Sequence, residues 1–187
     1  RRVLFRSSAL TFRPGPWVSP DGTEHAPLEL CAFVDANFAK ESGRHSQTGF
    51  ALMLGGAAVH KKSGKQTQVT DSTPYAETIA LHEATNWTIV MCRYLSLMFA
   101  PQTTPTIVYE DNEAAETFAK KGAGPRSLHW DVKLHYVHEM QTRQHIHVKH
   151  IDTTLQIADA LTKPLPEKEH NYFASLLLGG PLVFADG

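Results

Sequence analysis

Cysteine is scarce in this chain: among 187 residues only Cys31 and Cys92 carry thiols, which excludes a disulfide-stapled fold and a cysteine-based zinc finger. Charge of either sign is not in surplus, because 18 Lys and Arg face 19 Asp and Glu for a formal net charge of -1. That balance excludes a protein that coats nucleic acid by bulk positive charge, so any phosphate contact must rest on local patches. The 11 histidines would raise the charge below about pH 6.5. No apolar run reaches the ~20 residues needed to cross a bilayer, so no membrane partner is expected. Repeats and low-complexity tracts are also missing. The opening RRVLFR is basic but lacks the apolar core and cleavage site of a signal peptide, and the chain reads as a piece of something longer.

What is present is the composition of one compact domain, 42% hydrophobic and 20% charged. Pro14, Gly15, Pro16, Pro20, Gly22 and Pro27 crowd the first 27 residues, which predicts an extended arm or a remnant of a preceding domain over residues 1–27. Residues 28–35 are almost continuously apolar, as in a central strand covered on both faces, and end on Asp35. Residues 48–54 and 57–61 predict a hairpin around Gly55-Gly56, followed by a polar loop over residues 62–66. Ser72-Thr73-Pro74 is a helix start signal, and a long helix is predicted over residues 75–98, with Ile79, Leu81, Ile89, Val90, Tyr94, Leu95 and Met98 as its core stripe. A strand over residues 106–109, helices over 114–121 and 128–143, a strand over 145–151, a helix over 156–162 and a last amphipathic segment over 168–178 complete the pattern. Helices that alternate with strands after an antiparallel hairpin predict an α/β layer fold with a mixed sheet.

Four acidic residues fall at element ends: Asp35 after the first strand, Glu77 in the first turns of the long helix, Asp111 after the fourth strand, and Asp159 at the start of a late helix. Ligand crevices of open α/β sheets form at such strand ends. Converging carboxylates need a compensating charge, and hard divalent cations supply it through oxygen ligands. Two such ions about 4 Å apart can activate a water and stabilise a leaving oxygen in phosphodiester hydrolysis. Singly, each carboxylate has the bland reading of a solvated strand end or a helix N-terminus.

The surrounding motifs bind the four together. Val34-Asp35-Ala36-Asn37-Phe38-Ala39 resembles the D-A-D-W-A motif of copia-type retrotransposon ribonuclease H domains, and the Gly55-Gly56 hairpin resembles the one that follows it. Lys62-Ser63-Gly64-Lys65-Gln66 is similar to K-S-K-K-Q, and STPYAETIAL, which contains Glu77, to S-S-T-E-A-E-Y-I-A-L. Tyr109-Glu110-Asp111-Asn112 resembles Y-C-D-N, His129-Trp130-Asp131-Val132-Lys133 resembles K-H-I-D-I-R, and QIADALTKPLP, with Asp159, is nearly the family's own string. The resemblance spans about residues 28–178 in order.

The resemblance implies a ribonuclease H-like fold, with a five-stranded mixed sheet of three antiparallel and then two parallel strands, flanked by helices. It implies a domain over residues 28–166, an arm or reverse transcriptase connection over 1–27, and a C-terminal helix and tail over 167–187. Asp35, Glu77, Asp111 and Asp159 become catalytic metal ligands for two Mg²⁺ ions, with Mn²⁺ as a substitute. Lys62, Lys65, Ser72, Thr73 and Asn112 become substrate contacts, and His150 a candidate for aiding product release. The implied partners are an RNA/DNA hybrid and the reverse transcriptase domain of the same polyprotein, in an intracellular setting such as a cytoplasmic virus-like particle or the nucleus. The chain departs from the motifs at Asn37, Asp71, Pro74, Tyr75 and Asp152. Two rival readings share the ligands: a degenerate or domesticated copy that binds nucleic acid or a partner with little cleavage, and a related nuclease that cuts DNA. A transition-metal site among His129, His135, His138, His145, His147 and His150 lacks any finger-like spacing.

Overall fold

The computed structural model describes residues 10–39, 45–122 and 131–180. Expectations for residues 1–9, 128–130 and 181–187, including His129 and Trp130, lie outside them. A two-residue hairpin, Trp17–Val18 (β1) and Glu24–His25 (β2), precedes a sheet formed by Leu30–Asn37 (β3), Gln47–Leu54 (β4), Ala57–Lys65 (β5), Thr106–Glu110 (β6) and Ile146–His150 (β7). The helices are Thr73–Leu97 (α1), Glu113–Lys121 (α2), Asp131–Thr142 (α3), Asp159–Thr162 (α4) and Glu167–Leu177 (α5), with a 3-10 turn over Thr153–Leu155. The sheet order is β5-β4-β3-β6-β7, antiparallel from β5 to β3 and parallel from β3 to β7. This is the expected five-stranded mixed sheet. Among the described residues no helix is long and apolar enough to cross a membrane.

β3 is central, and its alternate residues feed two cores. Leu30, Ala32, Val34 and Ala36 face α1, whereas Cys31 and Phe33 join Ile157 and the α5 residues Phe173 and Leu176 on the other side. Burial on both faces explains the unbroken apolar run. Asp35 does not end this strand, which continues to Asn37 opposite Gln47. The polar loop expected over residues 62–66 is strand up to Lys65, because β4 is long enough to pair Gln47 with Lys65. Its exposed lysines mark β5 as a sheet edge. Gly55 and Gly56 take the positive φ values, +57° and +78°, that a two-residue hairpin demands.

The core stripe of α1 differs from the expected one. Ile79, Leu81 and Leu95 are buried as expected, but Tyr94 and Met98 are 57% and 73% exposed, and the helix also lays Ala76, Ala80, Ala84 and Thr88 toward the core. Small residues at i, i+4 spacing let the helix approach the sheet closely, and the periodicity of large apolar residues does not reveal this face. The helix expected over residues 156–162 is reduced to one turn, α4. Gln156 is buried and donates from Nε2 to the Val34 carbonyl at 2.9 Å, which pins this segment against β3 before helix can form.

Within the segment expected as an extended arm or a remnant of a preceding domain, residues 10–27 pack onto the sheet domain. Arg13 N–H donates to the Gly55 carbonyl at 2.8 Å, and Trp17 stacks on His25 with ring centroids 4.2 Å apart. Ser19 Oγ lies 2.9 Å from Tyr109 Oη, and Lys149 Nζ donates to Asp21 Oδ2 at 2.7 Å. Burial pushes Asp21 up, but hydrogen bonds from Lys149, Ser19 and Thr23 outweigh it and hold the carboxyl below the ordinary range. A depressed folded pKa contributes stability that is present above about pH 4 and lost as pH falls further. Asp21→Asn should therefore lower stability by roughly 1–3 kcal/mol at neutral pH. It should also flatten the acid limb of a denaturation-versus-pH series below about pH 4.

Gly49 pairs with Asp35 across β3 and β4. A Cβ there would lie 2.5 Å from Thr162 Cγ2 and 2.9 Å from Leu161 Cβ, so the bare glycine lets α4 settle directly over this pair. Gly49→Ala is expected to cost about 1–3 kcal/mol by overpacking. A urea titration should show a lower midpoint at an unchanged slope.

Candidate metal centre

The parallel register places Val34 opposite Glu110, the last residue of β6. Beyond that point β3 parts from β6 while staying paired with β4, so Asp35 and Asp111 flank a crevice where the two parallel strands separate. α1 begins above the same end and delivers Glu77 into it. One carboxylate oxygen from each of Asp35, Glu77 and Asp111 lies within 4.8 Å of the others. Asp35 and Glu77 are buried, and Asp111 is half-buried. Glu77 Oε2 has no hydrogen-bond partner. An orphaned buried oxygen among converging hard oxygen donors fits a divalent cation such as Mg²⁺ or Mn²⁺.

Asp159 stands apart from this triad and is joined to it through Lys163, whose Nζ lies 2.8 Å from Asp159 Oδ1 and 3.2 Å from Asp35 Oδ1. The Thr162 hydroxyl donates to Asp35 Oδ2. Lys163 and Thr162 were not singled out from the sequence. Their signal lay in the i, i+4 spacing of Asp159 and Lys163 on one helical turn.

Electrostatics record the crowding. Burial raises Asp35, against the Thr162 hydrogen bond and the Lys163 charge. Burial and then the charges of Asp35 and Asp111 push Glu77 well above the usual range. Burial lifts Asp159 to about 6 despite its bond to Lys163. Lys163 is pushed up: burial acts to lower it, but the Asp159 hydrogen bond and the Asp35 charge prevail.

The other candidates are scattered around this centre. Lys62 is engaged by Glu83, while Lys65 and Thr73 are exposed. Ser72 is the N-cap residue of α1 but makes no side-chain cap, and its hydroxyl donates to Asp71 Oδ1 at 3.1 Å. Asn112 Oδ1 caps α2, accepting from Ala114 and Ala115 N–H at 3.0 and 3.1 Å. His150 is exposed at the end of β7, and its backbone N–H donates to Glu116 Oε1 at 2.9 Å. Two motif departures have local reasons. Asn37 Nδ2 donates to the Thr162 carbonyl at 3.2 Å, and Asp152 caps the 3-10 turn through Thr154 N–H at 2.9 Å.

No family model matches the chain. It is similar to the retrovirus-related Pol polyprotein from transposon TNT 1-94 of Nicotiana tabacum, 32% identical over 142 residues, which is 75% of this chain and 11% of that protein. The Pol polyprotein from transposon RE1 of Arabidopsis thaliana is 29% identical over 150 residues, 79% of this chain and 10% of its own length. The chain thus spans about a tenth of the length of these relatives. Among solved structures, LC11-RNase H1, isolated from compost by a metagenomic approach, aligns with a TM-score of 0.56 at 14% identity, covering 72% of this chain and 92% of that one. The structure of LC11-RNase H1 in complex with an RNA/DNA hybrid aligns with a TM-score of 0.53 at 15% identity, covering 72% and 94%. The shared feature is the fold.

Lys163 places an ammonium between two of the carboxylates, where a bound cation would compete with it. Lys163→Ala should tighten Mn²⁺ binding about tenfold, roughly the 1.4 kcal/mol by which one partly exposed competing charge is relieved. Calorimetric titration of Mn²⁺ into the metal-free protein checks this, and weaker binding by the variant would contradict it.

Proposed function

Since the chain is a ribonuclease H domain of the copia-type retrotransposon Pol family, we propose that it is a metal-dependent endoribonuclease cutting the RNA strand of RNA/DNA hybrids. The observation that carries the proposal is the convergence of Asp35, Glu77 and Asp111 at one strand-end crevice, with Asp159 beside them across Lys163. Asp35, Glu77 and Asp111 would hold one divalent ion, and Asp35 with Asp159 a second. Bound there, such ions supply a nucleophilic water at neutral pH and Lewis-acid stabilisation of the departing oxygen.

The chain's own groups do the rest. The Thr162 hydroxyl holds one oxygen of Asp35, and the Ala36 backbone holds the carboxylate of Glu77, whose Oε2 is left without a partner. Lys163, once displaced from Asp35 by a divalent ion, keeps a positive charge beside the phosphate path. In the reaction a water oxygen bonds to phosphorus, the bond from phosphorus to the 3′ oxygen breaks, and that oxygen takes up a proton, leaving 5′-phosphate and 3′-hydroxyl ends. Lys65 and Thr73, both exposed, are the outer contacts for the hybrid, and the reverse transcriptase domain of the same polyprotein would share the grip.

A second reading, a domain that binds with little cleavage, is favoured by Lys62 being paired with Glu83 and by the exposed acid Asp71 beside Ser72. A cleavage assay with labelled RNA/DNA hybrid, double-stranded RNA and duplex DNA in Mg²⁺ or Mn²⁺ separates the readings. The expected result is hybrid-selective cutting that Asp35→Asn lowers by more than roughly a hundredfold. Hybrid binding without cutting supports the second reading, and cutting indifferent to Asp35→Asn sinks the first.

A further inference from the structure

Glu110 closes β6 one residue before Asp111 and is completely buried, where an acidic side chain is costly without partners. Its Oε1 accepts the Asn112 N–H at 3.1 Å, but Oε2 has no hydrogen-bond partner. The charge that acts on it most strongly is Glu77, whose own Oε2 is equally buried and without a hydrogen bond. Glu110 is not one of the three carboxylates that gather within 4.8 Å. In the Y-C-D-N motif that this stretch resembles, cysteine holds its place.

We propose that Glu110 is a positioning residue for the metal centre, a buried brace that holds the Asp111 turn in ligating geometry. The inference rests on the metal-dependent reading above. Two contacts make the brace. Through Oε1 it fixes Asn112 N–H, and Asn112 in turn caps α2, so the turn carrying Asp111 is tied at both sides. Its backbone carbonyl accepts Ile151 N–H at 3.1 Å, which anchors the end of β6 to the segment after β7. A purely structural residue here would be served better by an apolar side chain, because buried charges are often replaced by apolar groups without loss of stability.

That contrast sets the test, made on the full chain by Mn²⁺ calorimetry and by thermal unfolding with and without Mn²⁺. Glu110→Ala should bind Mn²⁺ roughly tenfold more weakly, the scale seen for groups that orient metal ligands. Its metal-free melting temperature should fall, because the Asn112 N–H loses its acceptor and a cavity is left, so affinity is read well below the unfolding transition. Glu110→Gln keeps the acceptor for Asn112, so it should recover wild-type affinity to within about threefold. With hybrid, kcat should fall in Glu110→Ala while KM stays unchanged. Unchanged Mn²⁺ affinity in Glu110→Ala would overturn the proposal, as would a tenfold loss in Glu110→Gln or a joint loss of metal-free stability and affinity in both variants. If the wild type binds Mn²⁺ through Asp35 yet cuts no hybrid, the ribonuclease reading fails while the Mn²⁺ affinities still decide the role of Glu110. If the wild type binds no Mn²⁺, both fall.

Discussion

Carboxylates repel one another, and the structure holds three of them within 4.8 Å at the rim of a low-dielectric core. At a separation of ~4 Å and an effective dielectric of ~20, each ionised pair costs about 4 kcal/mol. Such a cluster persists only if the scaffold is stiff enough to oppose its dispersal and a cation or protons offset the charge. Lys163 is the cation among the described residues that meets Asp35 and Asp159. Burial first, and then the neighbouring carboxylates, raise the titration of Asp35, Glu77 and Asp159. The same crowding makes the centre receptive to divalent ions.

The scaffold meets this demand by enclosing β3. Cores on both faces fix the strand, and the parallel neighbour β6 stops one residue short of Asp111, which opens the crevice where the charges face each other. Glycine at position 49 lets α4 approach, Gln156 pins the segment before it, and Asn37 clasps its far end. The small residues Ala76, Ala80 and Ala84 bring α1 close enough for Glu77 to reach the strand ends. Each is a packing decision with a chemical consequence. None of the residues involved is acidic, yet moving any of them moves a carboxylate.

Several of these features were legible in the amino-acid order. The apolar run of β3, the Gly55-Gly56 turn and the Ser72-Thr73-Pro74 helix start are local signals, and each element appears where its signal lies. The motifs around Asp35, Glu77 and Asp111 named the three residues that the fold gathers. Less legible was anything that depends on a distant partner. β5 extends through the expected loop because β4 offers it hydrogen bonds up to Gln47. The helix over residues 156–162 shrinks to one turn because Gln156 finds the Val34 carbonyl. The proline-rich start packs down through Trp17 and the Ser19–Asp21–Lys149–Tyr109 network, with partners up to 128 residues away.

By itself, then, the sequence determined the chemistry on offer: oxygen ligands at element ends, an α/β alternation of elements, and a charge balance that leaves any phosphate contact to local patches. Those properties follow from side-chain type and local periodicity, which act over a few residues. Tertiary structure alone decided that Asp159 stands across Lys163 from the triad, that Lys62 is paired with Glu83, that Asn112 serves α2 as its cap, and that Glu110 is fully buried beside Asp111. These outcomes depend on which groups meet in a shared low-dielectric space, and energies there vary with distances that no local pattern encodes.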